Sequence, residues 1–368
     1  MNLYIGLLSG TSMDGIDAAL VDVDSNKLIK GITEPYSVNI KHKLNDLLLT
    51  KLISPAVLSQ LNTLIGREFA NAVNKLLSSV DIKDKSIVAI GSHGQTICHD
   101  ATSEIPYTLQ LGCPHTIAEL TGIKVVADFR TRDLVIGGQG APFAPIYHQA
   151  LFGLTHSPIA VVNIGGISNI TYIDNEGSPS GYDVGPGNCL LDYWIMKHKG
   201  VSYDCNGDWA ASGNIIKPLL QALLDDPYFS QSQPKSLGKE YFSHGWLDNF
   251  LHEDYAPKDV QATLLALTAI TIADDIKKSD LTLKLVALCG GGAHNKALHN
   301  LLKNQLKDLN IITTNELNID PDYLEAMMFA WLAEKTINLK PLDFRKITGA
   351  KSLAIYGAIY PAGLRYNK

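Results

Sequence analysis

Two glycine-rich turns constrain the fold of this chain more than any other feature. The first covers residues 9–15 (SGTSMDG) and the second residues 163–169 (NIGGISN), about 155 residues further on. Apolar, strand-like segments flank both turns, at residues 3–8, 16–23, 159–162 and 170–173. We interpret each as a hairpin whose tight turn exposes backbone N–H groups and hydroxyls to phosphate oxygens. Two such turns in the same setting predict a duplicated domain that holds a polyphosphate from both sides.

Length and composition narrow the class of protein. The chain has 368 residues, 46% of them hydrophobic and 18% charged, which suits two cores in an ordinary globular protein. A net charge of −6 without any basic run argues against nucleic-acid and anionic-membrane partners. Five cysteines form no CxxC pair, which predicts reduced thiols. We see no secretory signal, and the longest uncharged apolar run, about residues 262–273, is too short for a bilayer, so we expect a cytoplasmic protein.

Alternating strand and helix patterns indicate an α/β protein with sheets covered on both faces. The predicted strands are residues 3–8, 16–23, 28–38, 86–91, 123–127, 158–164, 167–174 and 283–289. The predicted helices are residues 54–79, 114–121, 143–152, 188–199, 258–278, 294–307 and 322–337. The segment 128–145 is dense in glycine and proline, so we interpret it as a loop or hinge between domains.

The first turn contains residue types that bind phosphate and magnesium. Its glycines let the backbone approach a phosphate, its hydroxyls can donate to phosphate oxygens, and its carboxylates can hold Mg²⁺ directly or through water. A plain Asp-Gly hairpin turn is the alternative interpretation. The residues concerned are Gly10, Thr11, Ser12, Asp14, Gly15 and Asp17. The chain has neither a Walker-type P-loop nor a strand–GxGxxG–helix motif.

A third glycine-rich segment, Gly290-Gly291-Gly292, follows an apolar run and opens a helical stretch. Free N–H groups at such a helix start suit the ribose or α-phosphate of a nucleotide. A helix cap with close strand–helix packing is the alternative.

Two carboxylates are candidates for chemistry. Asp183 lies in a Gly/Pro turn, GYDVGPGN, where a rigid backbone suits a general base, although aspartate is also a common turn former. Asn188 is the better candidate for capping the helix that follows, which leaves Asp183 available. Glu325 falls early in a helix, where a carboxylate commonly compensates the helix dipole.

Polar residues at two predicted strand ends suit a substrate site. His93-Gly94-Gln95-Thr96 follows the strand near residues 87–90, and Arg130 follows the strand at 124–127. Arginine is suited to an anion, with a surface or hinge salt bridge as the alternative. The loop 137–142 (GGQGAP) predicts a substrate contact or a hinge. No zinc-ligand spacing is present, and neither Ser12 nor Ser168 lies in a GxSxG motif.

Taken together, these segments resemble the anhydro-N-acetylmuramic acid kinase family of the sugar kinase/Hsp70/actin superfamily. The resemblance covers nearly the whole chain in order. It rests on GTSMDGID (10–17), HGQT (93–96), ADFR (127–130), GGQGAP (137–142), NIGGISN (163–169), DVGPGN (183–188), YDCNGDWA (203–210), QPKSLGKEYF (233–242), DVQATL (259–264), GGGAHN (290–295) and PDYLEAM (321–327).

The resemblance implies two duplicated actin/hexokinase-like, ribonuclease H-like α/β domains around a central cleft. We place the first lobe at residues 1–128 plus about 345–368 and the second at 129–344. It also implies ATP and Mg²⁺ as cofactors, 1,6-anhydro-N-acetylmuramic acid as the substrate, and a homodimer.

The resemblance also assigns roles to single residues. Asp183 is implied as the catalytic base, and Glu325 is implied in the active site. Nucleotide contacts are implied at Gly10, Thr11, Ser12, Met13, Asp14, Gly15, Ile16, Asp17, Asn163, Gly165, Gly166, Ser168, Asn169, Gly290, Gly291, Gly292 and Asn295. We assign the sugar to His93, Gln95, Arg130 and Gln139, and Mg²⁺ to Asp14 and Asp17. Val184 and Leu237 depart from the family pattern, which commonly has threonine at both places.

The family reaction converts the anhydro-sugar, ATP and water into N-acetylmuramic acid 6-phosphate and ADP. Our hypothesis is that Asp183 deprotonates a water that attacks C1, while the γ-phosphoryl group captures the departing O6, so that no general acid is needed. Attack opposite the bridge then gives the α-anomer. A superfamily kinase for another sugar and a non-catalytic actin-like nucleotide sensor are the alternatives.

Overall fold

The computed structural model describes residues 1–10, 13, 15–50, 53–81, 87–231, 235–237 and 241–363, with the backbone alone at 48–50. Its strands are β1 (Leu3–Ser9), β2 (Ile16–Asp22), β3 (Lys27–Glu34), β4 (Ile87–Asp100), β5 (Tyr107–Leu111), β6 (Val125–Ala127), β7 (Ile159–Ile164), β8 (Ile167–Ile173), β9 (Pro179–Pro186), β10 (Leu285–Cys289), β11 (Asn310–Thr313) and β12 (Ala358–Tyr360).

Its α-helices are α1 (Val38–Thr50), α2 (Pro55–Ser78), α3 (Pro114–Thr121), α4 (Phe129–Val135), α5 (Ala144–Phe152), α6 (Cys189–Lys199), α7 (Asp208–Ala211), α8 (Lys217–Leu224), α9 (His244–Asp248), α10 (Pro257–Lys278), α11 (Lys296–Gln305) and α12 (Leu324–Ile337). Short 3₁₀ turns occur at Cys205–Gly207, Pro227–Ser230, Gly291–His294 and Thr314–Leu317. Within the described ranges, no helix combines the length and apolarity that crossing a bilayer requires.

The chain divides into two compact units, which we call the first unit (Met1–Tyr147 with Tyr323–Lys368) and the second unit (His148–Asp322). Our sequence boundaries fell at residue 128 and near residue 345. The first unit ends later than the first of these boundaries, at Tyr147. It resumes earlier than the second, at Tyr323, because α12 packs on strands β1, β2 and β4 of the first unit. The predicted hinge segment also contains helix α4, which the glycine and proline density concealed.

The first unit contains a seven-stranded sheet in the order β12-β6-β4-β1-β2-β3, with β5 paired to β4. Strands β1, β2 and β3 are antiparallel neighbours, and β1, β4 and β6 run parallel. Two glycines let α12 lie directly on this sheet. A Cβ on Gly6 would stand 1.7 Å from the Ala326 carbonyl oxygen, and one on Gly91 would stand 1.9 Å from that of Phe329.

The second unit contains a five-stranded sheet in the order β11-β10-β7-β8-β9. Strands β7, β8 and β9 are antiparallel neighbours, and β7, β10 and β11 run parallel. Helix α10 is buried on nearly every face, as expected for a core helix. Each unit therefore contains three antiparallel strands followed by two parallel ones, in the same order. The predicted α/β class, with two sheets and helices, is confirmed.

Candidate active site

The first glycine-rich turn joins β1 to β2 as an antiparallel hairpin, as predicted. Thr11, Ser12 and Asp14 lie outside the described residues. The Met13 amide donates to the Gly10 carbonyl at 3.2 Å. Met13 and Ile16 bury their side chains in the core of the first unit, so only their backbone groups could meet a nucleotide.

Gly15 closes this turn where no side chain fits, because a Cβ there would stand 2.9 Å from the Glu34 carbonyl oxygen. Gln95 braces the same turn. Its Nε2 donates to the Gly10 carbonyl at 3.2 Å, and its Oε1 lies 2.8 Å from the Ser9 hydroxyl and 3.2 Å from that of Tyr36. These contacts fit a residue that shapes the turn, and the assignment of Gln95 to the sugar stays a prediction.

Three charged residues of the first unit influence one another: Asp17 on β2, Arg130 on α4 and Glu325 at the start of α12. The Glu325 carboxyl keeps access to solvent, but surrounding protein displaces enough water to raise its pKa. The Asp17 carboxylate raises that pKa further, and the Arg130 guanidinium lowers it. Asp17 itself accepts a 2.7 Å hydrogen bond from the Thr33 hydroxyl.

His93 fixes the orientation of Arg130. The Arg130 Nε donates to His93 Nε2 at 2.9 Å, while His93 Nδ1 lies 3.0 Å from the Gly94 carbonyl oxygen. The His93 ring also packs on Phe329, with centroids 4.7 Å apart. Burial and the Arg130 charge hold the pKa of His93 well below its ordinary value, so the ring is neutral and accepts from arginine. Burial lowers the pKa of Arg130 to about 10.

The glycine-rich loop 137–142 is ordered by one buried carboxylate, Asp133. Its Oδ2 accepts from the Gly140 amide at 2.7 Å, and its Oδ1 accepts from the hydroxyls of Thr348 and Tyr356 at 2.9 and 3.2 Å. The Gly140 carbonyl in turn accepts from Arg130 Nη1 at 2.7 Å. This loop is therefore a rigid support for Arg130. Gln139, at its tip, has an exposed side chain.

The second glycine-rich turn joins β7 to β8, again as predicted. The carbonyls of Gly165 and Gly166 accept from the amides of Asn188, Gly187 and Cys189 at 2.8 to 3.1 Å. A Cβ on Gly165 or Gly166 would meet nothing closer than 3.6 Å, so the turn has an open face.

The side chains that follow this turn point in different directions. Ser168 is fully buried, and its hydroxyl has no hydrogen-bond partner among the described residues. Its side chain therefore lies beneath the turn, and its contact with a nucleotide stays a prediction. Asn169 is half-buried and pairs across the sheet with Asp183.

The triple-glycine segment packs against this second turn. Gly290 has φ +74°, and a Cβ there would stand 2.3 Å from Asn163 Oδ1. A Cβ on Gly292 would stand 2.2 Å from the Ile164 side chain. Asn295 caps α11, because its Oδ1 accepts from the Leu298 amide at 3.0 Å. Gly291 has open space around it, so it is the glycine of the three best able to meet a ligand.

Asp183 lies within strand β9 and not on a turn, which corrects our interpretation of its setting. Its Oδ2 accepts from the Leu237 amide at 2.9 Å and lies 3.5 Å from the Ser236 hydroxyl. Burial raises the pKa of the Asp183 carboxyl, and these two hydrogen bonds lower it. The side chains of Tyr182 and Val184 point into the core, so Asp183 faces the opposite side of the strand.

Two further expectations need correction. Asn188 stands at the N-cap position of α6 but makes no capping bond, because its Nδ2 donates to the Ile164 carbonyl at 3.1 Å. His93 and Gln95 do not follow a strand but lie inside β4, which continues to Asp100 by pairing with β5.

Two supporting residues, Asp133 and Tyr228, and the hydrogen bonds made by the segment 235–237 were not predicted from the sequence. Asp133 and Tyr228 gave no signal, since a buried carboxylate and a buried phenol resemble ordinary surface and core residues in a sequence. The segment 235–237 had a signal in the motif QPKSLGKEYF, of which residues 233, 234 and 238–240 lie outside the described residues.

Of the two predicted magnesium ligands, Asp17 lies within the described residues. Asp17 supplies carboxylate oxygens, the ligand type that Mg²⁺ takes in nucleotide enzymes, and Thr33 orients one of them. Asp14, the second predicted ligand, lies outside the described residues. In the part of the chain that the structure describes, no group of three or more His, Cys, Asp or Glu residues could hold a metal ion. One protein carboxylate completed by water and phosphate oxygens fits the usual manner of magnesium binding.

Comparison with known proteins identifies the relatives of this chain. The family model described as anhydro-N-acetylmuramic acid kinase matches residues 2–362. A protein of that name from Legionella pneumophila (strain Paris) is 58% identical over 361 residues, covering 98% of this chain and 99% of the relative. Those of Sulfurovum sp. (strain NBC37-1) and Coxiella burnetii (strain Dugway 5J108-111) are 45% and 46% identical. The alignments cover 97% of this chain in both cases, with 98% and 97% of the relatives.

Proposed function

This chain belongs to the anhydro-N-acetylmuramic acid kinase family, and from that membership we propose that it converts 1,6-anhydro-N-acetylmuramic acid, ATP and water into N-acetylmuramic acid 6-phosphate and ADP. Two bonds form and two bonds break in this reaction. Water attacks C1 of the bicyclic sugar, and the C1–O6 bond breaks as O6 attacks the γ-phosphorus of ATP. The bond from that phosphorus to the bridging oxygen of ADP breaks in the same process.

The observation that carries the mechanism is the environment of Asp183. One carboxylate oxygen is held by the Leu237 amide, and burial raises the pKa of the carboxyl, which strengthens it as a proton acceptor. We assign to Asp183 the removal of a proton from the attacking water. The departing O6 needs no proton from an acid, because phosphorus captures it, so one carboxylate is enough.

The phosphates are assigned to the two glycine-rich turns. Phosphoryl transfer requires mainly positioning and neutralisation of charge, which backbone amides at open turns supply. The space around Gly165 and Gly166 supports a role in approaching phosphate oxygens. We assign Mg²⁺ to Asp17 with Asp14, where the ion would neutralise charge on the transferring phosphoryl group.

Arg130, with Glu325 beside it, is the candidate for contact with the sugar. His93 and the Gly140 carbonyl fix two edges of the guanidinium, which pre-organises it for an anionic or polar group. Glu325 is assigned to the active site in the same region of the first unit. We also propose that the two units are duplicated ribonuclease H-like domains, which the matching order of five strands, β6-β4-β1-β2-β3 and β11-β10-β7-β8-β9, supports.

We further propose that the protein acts in the cytoplasm in peptidoglycan recycling, as a homodimer without nucleic-acid or membrane partners. A sedimentation measurement of mass tests the dimer.

The decisive assay incubates the protein with ATP, Mg²⁺ and the anhydro-sugar and follows the sugar by mass spectrometry. We expect a product that has gained both a phosphate and a water. Omitting ATP should leave the sugar unchanged. Turnover of an ordinary hexose without turnover of the anhydro-sugar would overturn the proposal in favour of another sugar kinase.

A further inference from the structure

Asp183 lies at the outer edge of the second unit's sheet and is held there by hydrogen bonds with residues outside the sheet. Strand β9 is the edge strand, so the backbone groups that do not pair with β8 must find other partners. The Asp183 amide donates to the Lys235 carbonyl at 3.1 Å, and its carbonyl accepts from the Tyr228 hydroxyl at 2.7 Å. With the Leu237 amide on Oδ2, three groups of one residue are fixed from outside the sheet.

These contacts distinguish the two oxygens of the carboxylate. Oδ2 accepts from Leu237 and lies near Ser236, whereas Oδ1 has no hydrogen bond among the described residues. A carboxylate held by one oxygen keeps the other available to a water molecule in a defined direction. The backbone of β9 sets that direction, because the side chain projects from it.

Tyr228 is itself held in place by the residues packed around it. Its ring is buried among aromatic neighbours, including Tyr241 with centroids 5.6 Å apart. The Lys235 ammonium lies 4.5 Å from the ring centroid and 3.5 Å from the Tyr228 carbonyl oxygen. The backbone carbonyl of the same lysine accepts a hydrogen bond from the Asp183 amide. Tyr228 and Lys235 therefore contact each other and both hold the backbone of Asp183.

We infer that Tyr228 is a positioning residue for the proposed base: its hydroxyl fixes the Asp183 carbonyl and thereby the direction of the carboxylate. This inference rests on the role proposed for Asp183. Tyr228 does not touch the reacting atoms. The hydroxyl holds the edge strand at Asp183, the residue whose carboxylate must contact the attacking water. A displacement of about 1 Å at a catalytic group can lower the rate about a hundredfold.

The chain provides a matched pair of variants. Tyr228→Phe deletes the hydroxyl that reaches Asp183, and Tyr241→Phe deletes a hydroxyl of the same aromatic cluster that reaches Asp226 at 2.9 Å instead. We expect Tyr228→Phe to lower kcat about tenfold or more. The KM for ATP should stay within about twofold, because no nucleotide contact changes. Tyr241→Phe should retain the wild-type kcat.

A direct titration of Asp183 separates this inference from the proposed function. Aspartate labelled at the carboxyl carbon reports each pKa by NMR, and Asp183→Asn identifies the signal. Charged and titratable neighbours of this region are Tyr228, Lys235, Tyr241, Tyr182, Asp226, Asp275 and Lys278. In Tyr228→Phe, the Leu237 bond to Oδ2 should loosen, and because that bond lowers the pKa of Asp183, the pKa should rise.

An unchanged Asp183 titration and kcat in Tyr228→Phe would overturn the inference, as would equal effects from Tyr241→Phe. If the wild-type protein leaves the anhydro-sugar intact but the titration responds as expected, only the proposed function fails. Should Tyr228→Phe not fold, Lys235→Met tests the same anchor. It removes the ammonium from the ring, so kcat should fall while the KM for ATP stays within about twofold, and an unchanged kcat would count against the anchor.

Discussion

At the scale of single residues, two of the proposed functional groups, Arg130 and Asp183, are each fixed by hydrogen bonds with neighbouring residues. Arg130 is fixed by a neutral histidine and a glycine carbonyl, and Asp183 is fixed by a tyrosine hydroxyl and a backbone amide. The proposed reactive groups were predictable from the sequence because they lie in distinctive motifs. The residues that hold Asp183 were not predictable, because Tyr228 and Leu237 lie 45 and 54 residues away from it in the sequence.

The first prediction concerns the charge that Arg130 exerts on Glu325. Arg130 lowers the pKa of Glu325, so Arg130→Met should raise that pKa, and Glu325 should stay protonated to higher pH. Carboxyl-labelled glutamate observed by NMR measures the shift. Arg132→Met is the control, because Arg132 lies exposed on the same helix. A lower or unchanged pKa of Glu325 in Arg130→Met would contradict the assignment.

At the scale of elements, glycines and one buried carboxylate decide how helices and loops meet the sheets. Hairpins at both glycine-rich turns and the helix that starts near Glu325 were predictable, since turn chemistry and apolar periodicity are local signals. Strand β9 was not, because GYDVGPGN has the composition of a turn, and only pairing with β8 makes it a strand. The extension of β4 through His93 likewise depends on pairing with β5.

The second prediction concerns the contact between α12 and the sheet of the first unit. Gly6→Ala would place a methyl group against the Ala326 backbone, which cannot yield as a flexible side chain would. We expect the free energy of unfolding to fall by about 3 kcal/mol or more. Gly245→Ala, in a short helix with its nearest neighbour at 3.8 Å, is the control and should cost little. Urea denaturation measures both, and equal stabilities would refute the close packing.

The third prediction concerns the loop 137–142. Asp133→Ala removes the acceptor of the Gly140 amide, and the loop should then no longer hold Arg130. We expect the KM for the sugar to rise about tenfold, on the order of one lost hydrogen bond to a charged group. The KM for ATP should change much less. Asp343→Ala, which removes an exposed ion pair with Arg345, should alter neither constant. Equal rises in both KM values for Asp133→Ala would argue for general loss of structure.

At the scale of the whole molecule, the chain consists of two units whose sheets have five strands in the same order, to which the first unit adds β5 and β12. The spacing of the glycine-rich turns predicted two related halves, because each turn needs the same hairpin setting. The boundaries were harder to predict, since α12 follows the second unit in sequence but packs in the first. Sequence position gives no information on which sheet a buried helix covers.

The fourth prediction concerns stability in acid. Burial lowers the pKa of His148 from 6.5 to about 3, so the unfolded chain binds a proton that the folded chain does not. The free energy of unfolding should therefore decrease as pH falls from 6.5 towards 3, by up to about 1.4 kcal/mol per pH unit. His148→Asn should flatten this dependence, and His42→Asn, on the exposed side of α1, should not. Thermal melting across this pH range provides the check, and a dependence unchanged by His148→Asn would exclude this origin.

The most direct test of the account is the turnover rate of Asp183→Asn with saturating ATP, Mg²⁺ and the anhydro-sugar. Asparagine has nearly the same shape but cannot take a proton from water. We predict that the rate of product formation falls by about a thousandfold or more, while the nucleotide binds with nearly wild-type affinity. Turnover close to the wild-type rate would contradict the assignment of Asp183 as the base.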